Sequence, residues 1–135
     1  MSGIRAKDTK PEILVRRALH ALGFRYRLHD RRLPGSPDIV LPRHRAVVFV
    51  HGCFWHGHDC RLFKEPGTRR DFWLPKIERN RANDTKHATA LANAGWRVAT
   101  VWECALRGKL ASVDAVAARL AQWLRGTSAR IEIRE

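Results

Sequence analysis

The stretch DIVLPRHRAVVFVH, Asp38 to His51, decides how the chain reads. Two apolar runs rich in β-branched residues flank the polar segment Pro42-Arg43-His44-Arg45, the pattern of a β-hairpin. With the turn centred on His44, Asp38 and Val50 each stand six residues away. Asp38 then opens one strand where the other closes, and His51 follows at the same sheet end. A carboxylate and an imidazole far apart in sequence become neighbours.

Toward the N-terminus, Thr9-Lys10-Pro11-Glu12 announces a helix: Thr9 caps, Pro11 sits in the first turn, and Glu12 completes a capping box. Leu14, Ala18, Ala21 and Leu22 recur at helical spacing, and Gly23 is a natural stop. Phe24, Tyr26 and Leu28 alternate with Arg25, Arg27 and His29, which predicts a strand. Toward the C-terminus, Lys76 to Ala94 reads as a long polar helix ending at Gly95. Trp96 to Trp102 is mostly apolar and reads as a central strand, with Cys104 just past its end. Ser112 to Leu124 is an amphipathic helix with Val113, Val116, Leu120, Trp123 and Leu124 near one face. Ile131 and Ile133 alternate with charges, as an edge strand or a frayed end. The order predicts an α/β fold, a small mixed sheet with helices against it.

The chain has 135 residues, enough for one domain, and 44% are hydrophobic, enough for a real core. Lys and Arg number 26 against 13 acidic residues, a net charge of +13. That excess points to a polyanion, nucleic acid first. No apolar run reaches the roughly 18 residues of a membrane span, and the N-terminus has no signal-peptide core. Three cysteines, an odd number without a secretory signal, speak for reduced thiols or metal ligands rather than a disulfide framework, and for a cytoplasmic protein.

The loop HGCFWHGHDC, His51 to Cys60, carries the chemistry. Cys53, His58, Cys60 and Cys104 form a set suited to structural Zn²⁺, three thiolates and an imidazole with no cysteine left over. The competing reading is buried thiols that behave as small hydrophobes. His51 and His56 remain free of that set. With Asp38 they can bind Mg²⁺ and activate water, and Glu12 joins them if its helix packs near this sheet end. Phe54 and Trp55 read equally as a wedge between base pairs or as packing around the metal.

KDTKPE, LPGSPDIV, VVFVHGCFWHGHDC, FWLPKIERN, GWRV and VWECALRG together resemble the very-short-patch repair (Vsr) mismatch endonucleases of bacteria, from Met1 to about Gly108. The resemblance implies one Vsr-like domain over residues 1–135 on a restriction-endonuclease-like core. It implies Mg²⁺-dependent nicking of one strand 5′ to the thymine of a T:G mismatch, the product of deaminated 5-methylcytosine. On the matching positions, Asp38 and the Val50 backbone carbonyl become Mg²⁺ ligands. His51, His56 and Glu12 become catalytic residues. Cys53, His58, Cys60 and Cys104 become Zn²⁺ ligands. Phe54, Trp55, Lys76 and Asn80 become DNA contacts, with Met1 about where the family's N-terminal arm inserts an apolar residue, so the arm is expected to be short or missing. The implied partners are mismatched double-stranded DNA, MutL-type proteins and a downstream DNA polymerase, with action as a monomer at the bacterial nucleoid and no membrane. Two alternatives stay open: an endonuclease with another DNA target, and a non-catalytic, zinc-stabilised DNA-binding module.

Overall fold

The computed structural model describes residues 9–60, 67–106 and 111–134. Helix α1 (Lys10–Ala21) begins as its sequence dictates: the Thr9 side chain accepts the Glu12 amide at 3.4 Å. It ends in a Schellman arrangement, with the Gly23 amide on His20 O and the Phe24 amide on Leu19 O. Gly23 takes the positive φ of 96° that this cap requires.

Strands β1 (Arg27–Leu28), β2 (Ile39–Leu41) and β3 (Ala46–His51) form an antiparallel run. Chain reversal after β2 uses a 3-10 turn, Pro42–His44, closed by Arg45 in the left-handed region. Helix α2 (Arg70–Asn93) then crosses over to β4 (Arg97–Trp102), which lies parallel to β3. Short α3 (Glu103–Leu106) and long α4 (Ala111–Arg125) lead to β5 (Arg130–Ile133), parallel to β4 at the other edge. The result is a mixed five-stranded sheet in chain order, flanked by helices.

The pleat sorts the core into two layers. Ile39, Leu41, Ala46, Val48, Ala99 and Val101 face α1 and α4, where Val15, Leu19, Val116 and Leu120 meet them. Val40, Val47, Phe49 and Val98 face α2 through Ala88 and Leu91. Phe49 and His51 are two residues apart on β3, so His51 also points to the α2 side.

Three expectations are corrected. The strand expected from Phe24 shrinks to two residues, because Phe24 belongs to the α1 cap and Leu28 is left exposed. Helix α2 starts six residues before Lys76 and runs through Pro75, which lacks the N–H that would meet the Asp71 carbonyl and so costs the second turn one helix bond. The hairpin register is one step tighter than a turn centred on His44. Ile39 pairs with Val48, so the next step outward sets Asp38 against Phe49 rather than Val50.

Candidate active site and metal centre

The end of β3 carries three side-chain clusters. The first is Cys53, His58, Cys60 and Cys104, whose donor atoms all lie within 4.8 Å of one another. Turns after β3 bring the loop cysteines back toward α3, which supplies Cys104 from the chain that leaves β4. His58 Nδ1 stands 3.7 Å from Cys104 Sγ. A tetrahedral zinc with ordinary Zn–S and Zn–N bonds separates such atoms by about 3.6 Å, so the donor set fits Zn²⁺. Burial pushes the Cys53 thiol well above the usual range, and Cys60 and Cys104 beside it add to the effect. The Cys53 thiol therefore resists ionisation unless a cation shares the site.

The second cluster is His51, His56 and Asp84. Asp84 comes from the face of α2 that also buries Ile77, Ala88 and Leu91. Its Oδ2 lies 2.5 Å from His56 Nδ1, and its Oδ1 lies 3.9 Å from His51 Nε2. The two imidazoles stack at 3.9 Å with 8° between their planes. An ion shared by parallel rings would sit well out of both ring planes, so this trio suits a metal less well than the other two clusters. Burial, with His56 repulsion second, pushes the His51 imidazole down to about 3 and keeps it neutral. The trio opens into a cavity of about 230 Å³ between α2 and strands β4 and β5, edged by Arg81 and Arg130.

The third cluster is Glu12, His29 and Asp38. Glu12 is 1% exposed and contacts both His29 Nε2 and Arg16. Asp38 Oδ2 accepts the Val50 amide at 2.7 Å. Burial, opposed by that hydrogen bond and reinforced by Glu12, pushes the Asp38 carboxyl up to about 7. Two carboxylates and an imidazole offer hard oxygen with one borderline nitrogen, a donor set that fits a divalent cation.

Asp38 and His51 therefore stand at one sheet end, as expected, but in different clusters. His51 follows the pleat toward α2, while a bend before β2 turns Asp38 toward α1. Trp102, opposite His51 on β4, joins the groups. Its ring stacks on His58 at 3.9 Å and meets His51 edge-on at 5.2 Å. Phe54 and Trp55 are half-buried and form an aromatic group with Trp73 of α2. Lys76 Nζ lies 4.4 Å above the Phe72 ring. Asn80 donates to the Trp55 carbonyl at 2.8 Å and so ties the loop to α2. Met1 lies outside the described residues.

The family model described as DNA mismatch endonuclease Vsr matches residues 1–62. The type II nicking enzyme V.XorIIP of Xanthomonas oryzae pv. oryzae is 54% identical over 120 residues, 89% of this chain and 85% of that one. DNA mismatch endonuclease Vsr of Escherichia coli is 45% identical over 134 residues, 98% of this chain and 86% of its own. The chain belongs to the Vsr family. The type II nicking enzyme V.NmeAIP of Neisseria meningitidis is 50% identical over 109 residues, 81% and 78%.

Within this Vsr-family chain, sequence reading missed Asp84, His29, Trp73 and Trp102. Asp84 had a readable signal: a lone acid in line with the apolar positions Ile77, Ala88 and Leu91 of a helix. His29 had none, because it passed for the polar half of an alternating strand. Among the described residues, no helix is long and apolar enough to cross a membrane.

Proposed function

We propose that this DNA endonuclease nicks one strand of double-stranded DNA 5′ to the thymine of a T:G mismatch, as a monomer with a restriction-endonuclease-like core. One observation carries the reading. At a single end of β3, a carboxylate that accepts the Val50 amide and a His56–Asp84 pair with His51 stacked on it form two neighbouring clusters, one toward α1 and one toward α2.

Asp38 and the Val50 carbonyl would hold Mg²⁺, with Glu12 in support. When bound, Mg²⁺ supplies charge to the scissile phosphate and the leaving oxygen. The chain's own residues handle the proton. With Nδ1–H donated to Asp84, His56 keeps its Nε2 lone pair for a water proton. The water oxygen bonds to phosphorus, its proton goes to His56, and the bond from phosphorus to the leaving deoxyribose oxygen breaks, that oxygen keeping the electron pair and taking a proton from solvent to become the 3′-hydroxyl. Asp84 stabilises the imidazolium so formed. His51, neutral and stacked on His56, fixes the plane of that ring.

Zn²⁺ on Cys53, His58, Cys60 and Cys104 would brace the loop from both sides of Phe54 and Trp55. Those aromatics, with Lys76 and Asn80 near them, would wedge beside the mismatch, where poor stacking makes distortion cheap. A nick of this kind needs a DNA polymerase afterward, with MutL-type proteins as further partners, in the bacterial cytoplasm at the nucleoid.

The test pairs a T:G duplex with its matched control in Mg²⁺, using wild type and Asp38→Ala. Wild type is expected to nick the mismatched duplex alone, and Asp38→Ala neither. Equal nicking of both duplexes would overturn the mismatch reading, and an intact T:G duplex would overturn the activity.

A further inference from the structure

We infer that His29 is a ligand of the cation held at Asp38 beside Glu12, and that it shifts this site from Mg²⁺ toward first-row divalent metals, beginning with Mn²⁺. The inference rests on the reading of Asp38 as a metal ligand and adds a nitrogen donor to it.

The geometry is specific. The ligand atoms of Glu12, His29 and Asp38 all lie within 4.8 Å of one another, and the cluster is buried on its Glu12 side. The backbone aims the imidazole there. His29 takes a φ of 49°, a left-handed conformation uncommon for a residue with a side chain. Its amide donates to the Asp38 carbonyl at 3.2 Å, which locks the two residues together across the β1–β2 ladder. Its Nε2 meets Glu12 Oε1. Two donor atoms side by side are also what adjacent ligands of one cation present. Backbone strain of this kind persists where the surroundings hold it, and here they hold an imidazole against two carboxylates.

Ligand chemistry then sets the metal. A site of carboxylate, carbonyl and water oxygens suits Mg²⁺. Replacing one oxygen by imidazole nitrogen favours Mn²⁺ and later first-row ions over Mg²⁺. His29 is distinct from the His51–His56 pair, which faces α2 and whose stacked rings do not suit a shared ion.

The experiment uses the zinc-loaded full chain and compares Mn²⁺ with Mg²⁺ by titration calorimetry, with Mn²⁺ pulsed electron paramagnetic resonance on the same samples. The variants are His29→Gln and His29→Asn; asparagine tolerates the positive φ, and circular dichroism checks that each is folded. Wild type is expected to show ¹⁴N coupling to bound Mn²⁺, lost in both variants. Mn²⁺ affinity is expected to fall about tenfold or more in the variants, with Mg²⁺ affinity changing less. No Mn²⁺ binding, ¹⁴N coupling that survives both substitutions, or equal loss of Mn²⁺ and Mg²⁺ affinity overturns the inference. Nicking of the T:G duplex is scored separately. A protein that nicks without nitrogen coupling keeps the proposed function and loses this inference; nitrogen coupling without mismatch nicking does the reverse.

Discussion

His56 and Asp84 are 28 residues apart in sequence and 2.5 Å apart in space. The pair joins the loop after β3 to the middle of α2, and it leaves Nε2 as the His56 ring nitrogen turned away from Asp84. Asp84→Asn keeps the shape but can donate its amide to Nδ1, which turns the tautomer around. The nicking rate at saturating enzyme is expected to fall about 10³-fold. Duplex affinity should stay within about threefold, because the pair acts on the proton and not on binding. Single-turnover nicking with a parallel binding titration checks this. An unchanged rate would remove Asp84 from the chemistry.

Asp38 makes a prediction about stability and pH. Its carboxyl is raised from 3.8 to about 7 in the folded chain, with burial the first cause. The folded state thus favours the protonated form. Its contribution is fully present below about pH 4 and is lost as pH rises through 7. In zinc-loaded protein without Mg²⁺, wild type should lose up to about 4 kcal/mol over that window from this group. Asp38→Asn should not. The two proteins should unfold alike at pH 4, and the variant should be the more stable at pH 8, as urea titrations would show. Adding Mg²⁺ at pH 8 should narrow the gap by stabilising wild type alone. A variant less stable than wild type at pH 8 without Mg²⁺ would contradict the shift.

Most of the sheet was legible because its signals are local. Thr9 and Gly23 bracket α1, the β-branched runs around Pro42–His44 make the hairpin, and Val116, Leu120 and Leu124 mark α4. The zinc-type set was legible by chemistry, since only three cysteines were available and one stood beyond β4. What the sequence hid is set by tertiary geometry. Asp38 and His51 share a sheet end, and a strict pleat would put both on the α2 face, but the bend before β2 turns Asp38 toward α1 and Glu12 while His51 stays with Asp84 of α2. The positive φ that turns His29 inward depends on its amide bond to Asp38, a contact no periodicity reports.

The cysteine–histidine cluster predicts that bound metal stabilises the fold. Cys104 is buried in α3, away in sequence from Cys53, His58 and Cys60 of the loop. Cys104→Ala is expected to lower bound zinc from about one per chain to near none. It should also lower Tm by about 10 °C, because the loop loses its tie to the sheet. Metal analysis and thermal unfolding read both. Full zinc content in this variant would exclude Cys104 as a ligand.

Gly57 lies between His56 of the His51–His56–Asp84 trio and His58 of the cysteine cluster, at a φ of 58°. A Cβ there would stand 2.7 Å from Ile77 Cγ2 and 3.0 Å from Arg81 Cδ. Arg81 is exposed and can swing aside, but Ile77 is 4% exposed and has nowhere to go. The loop must therefore lift off α2, which stretches the His56–Asp84 contact and displaces His58 together. Gly23 supplies the control. It too has a positive φ, 96°, but nothing lies within 4 Å of its added Cβ. Gly23→Ala should cost about 1 kcal/mol of backbone strain and leave nicking and zinc retention alone. Gly57→Ala should cost about 2–3 kcal/mol, slow nicking, and release zinc to a chelator faster. Thermal unfolding, nicking rate and chelator competition on both variants separate strain from contact. If the two substitutions behave alike in all three, the close approach of the loop to α2 does not govern either cluster.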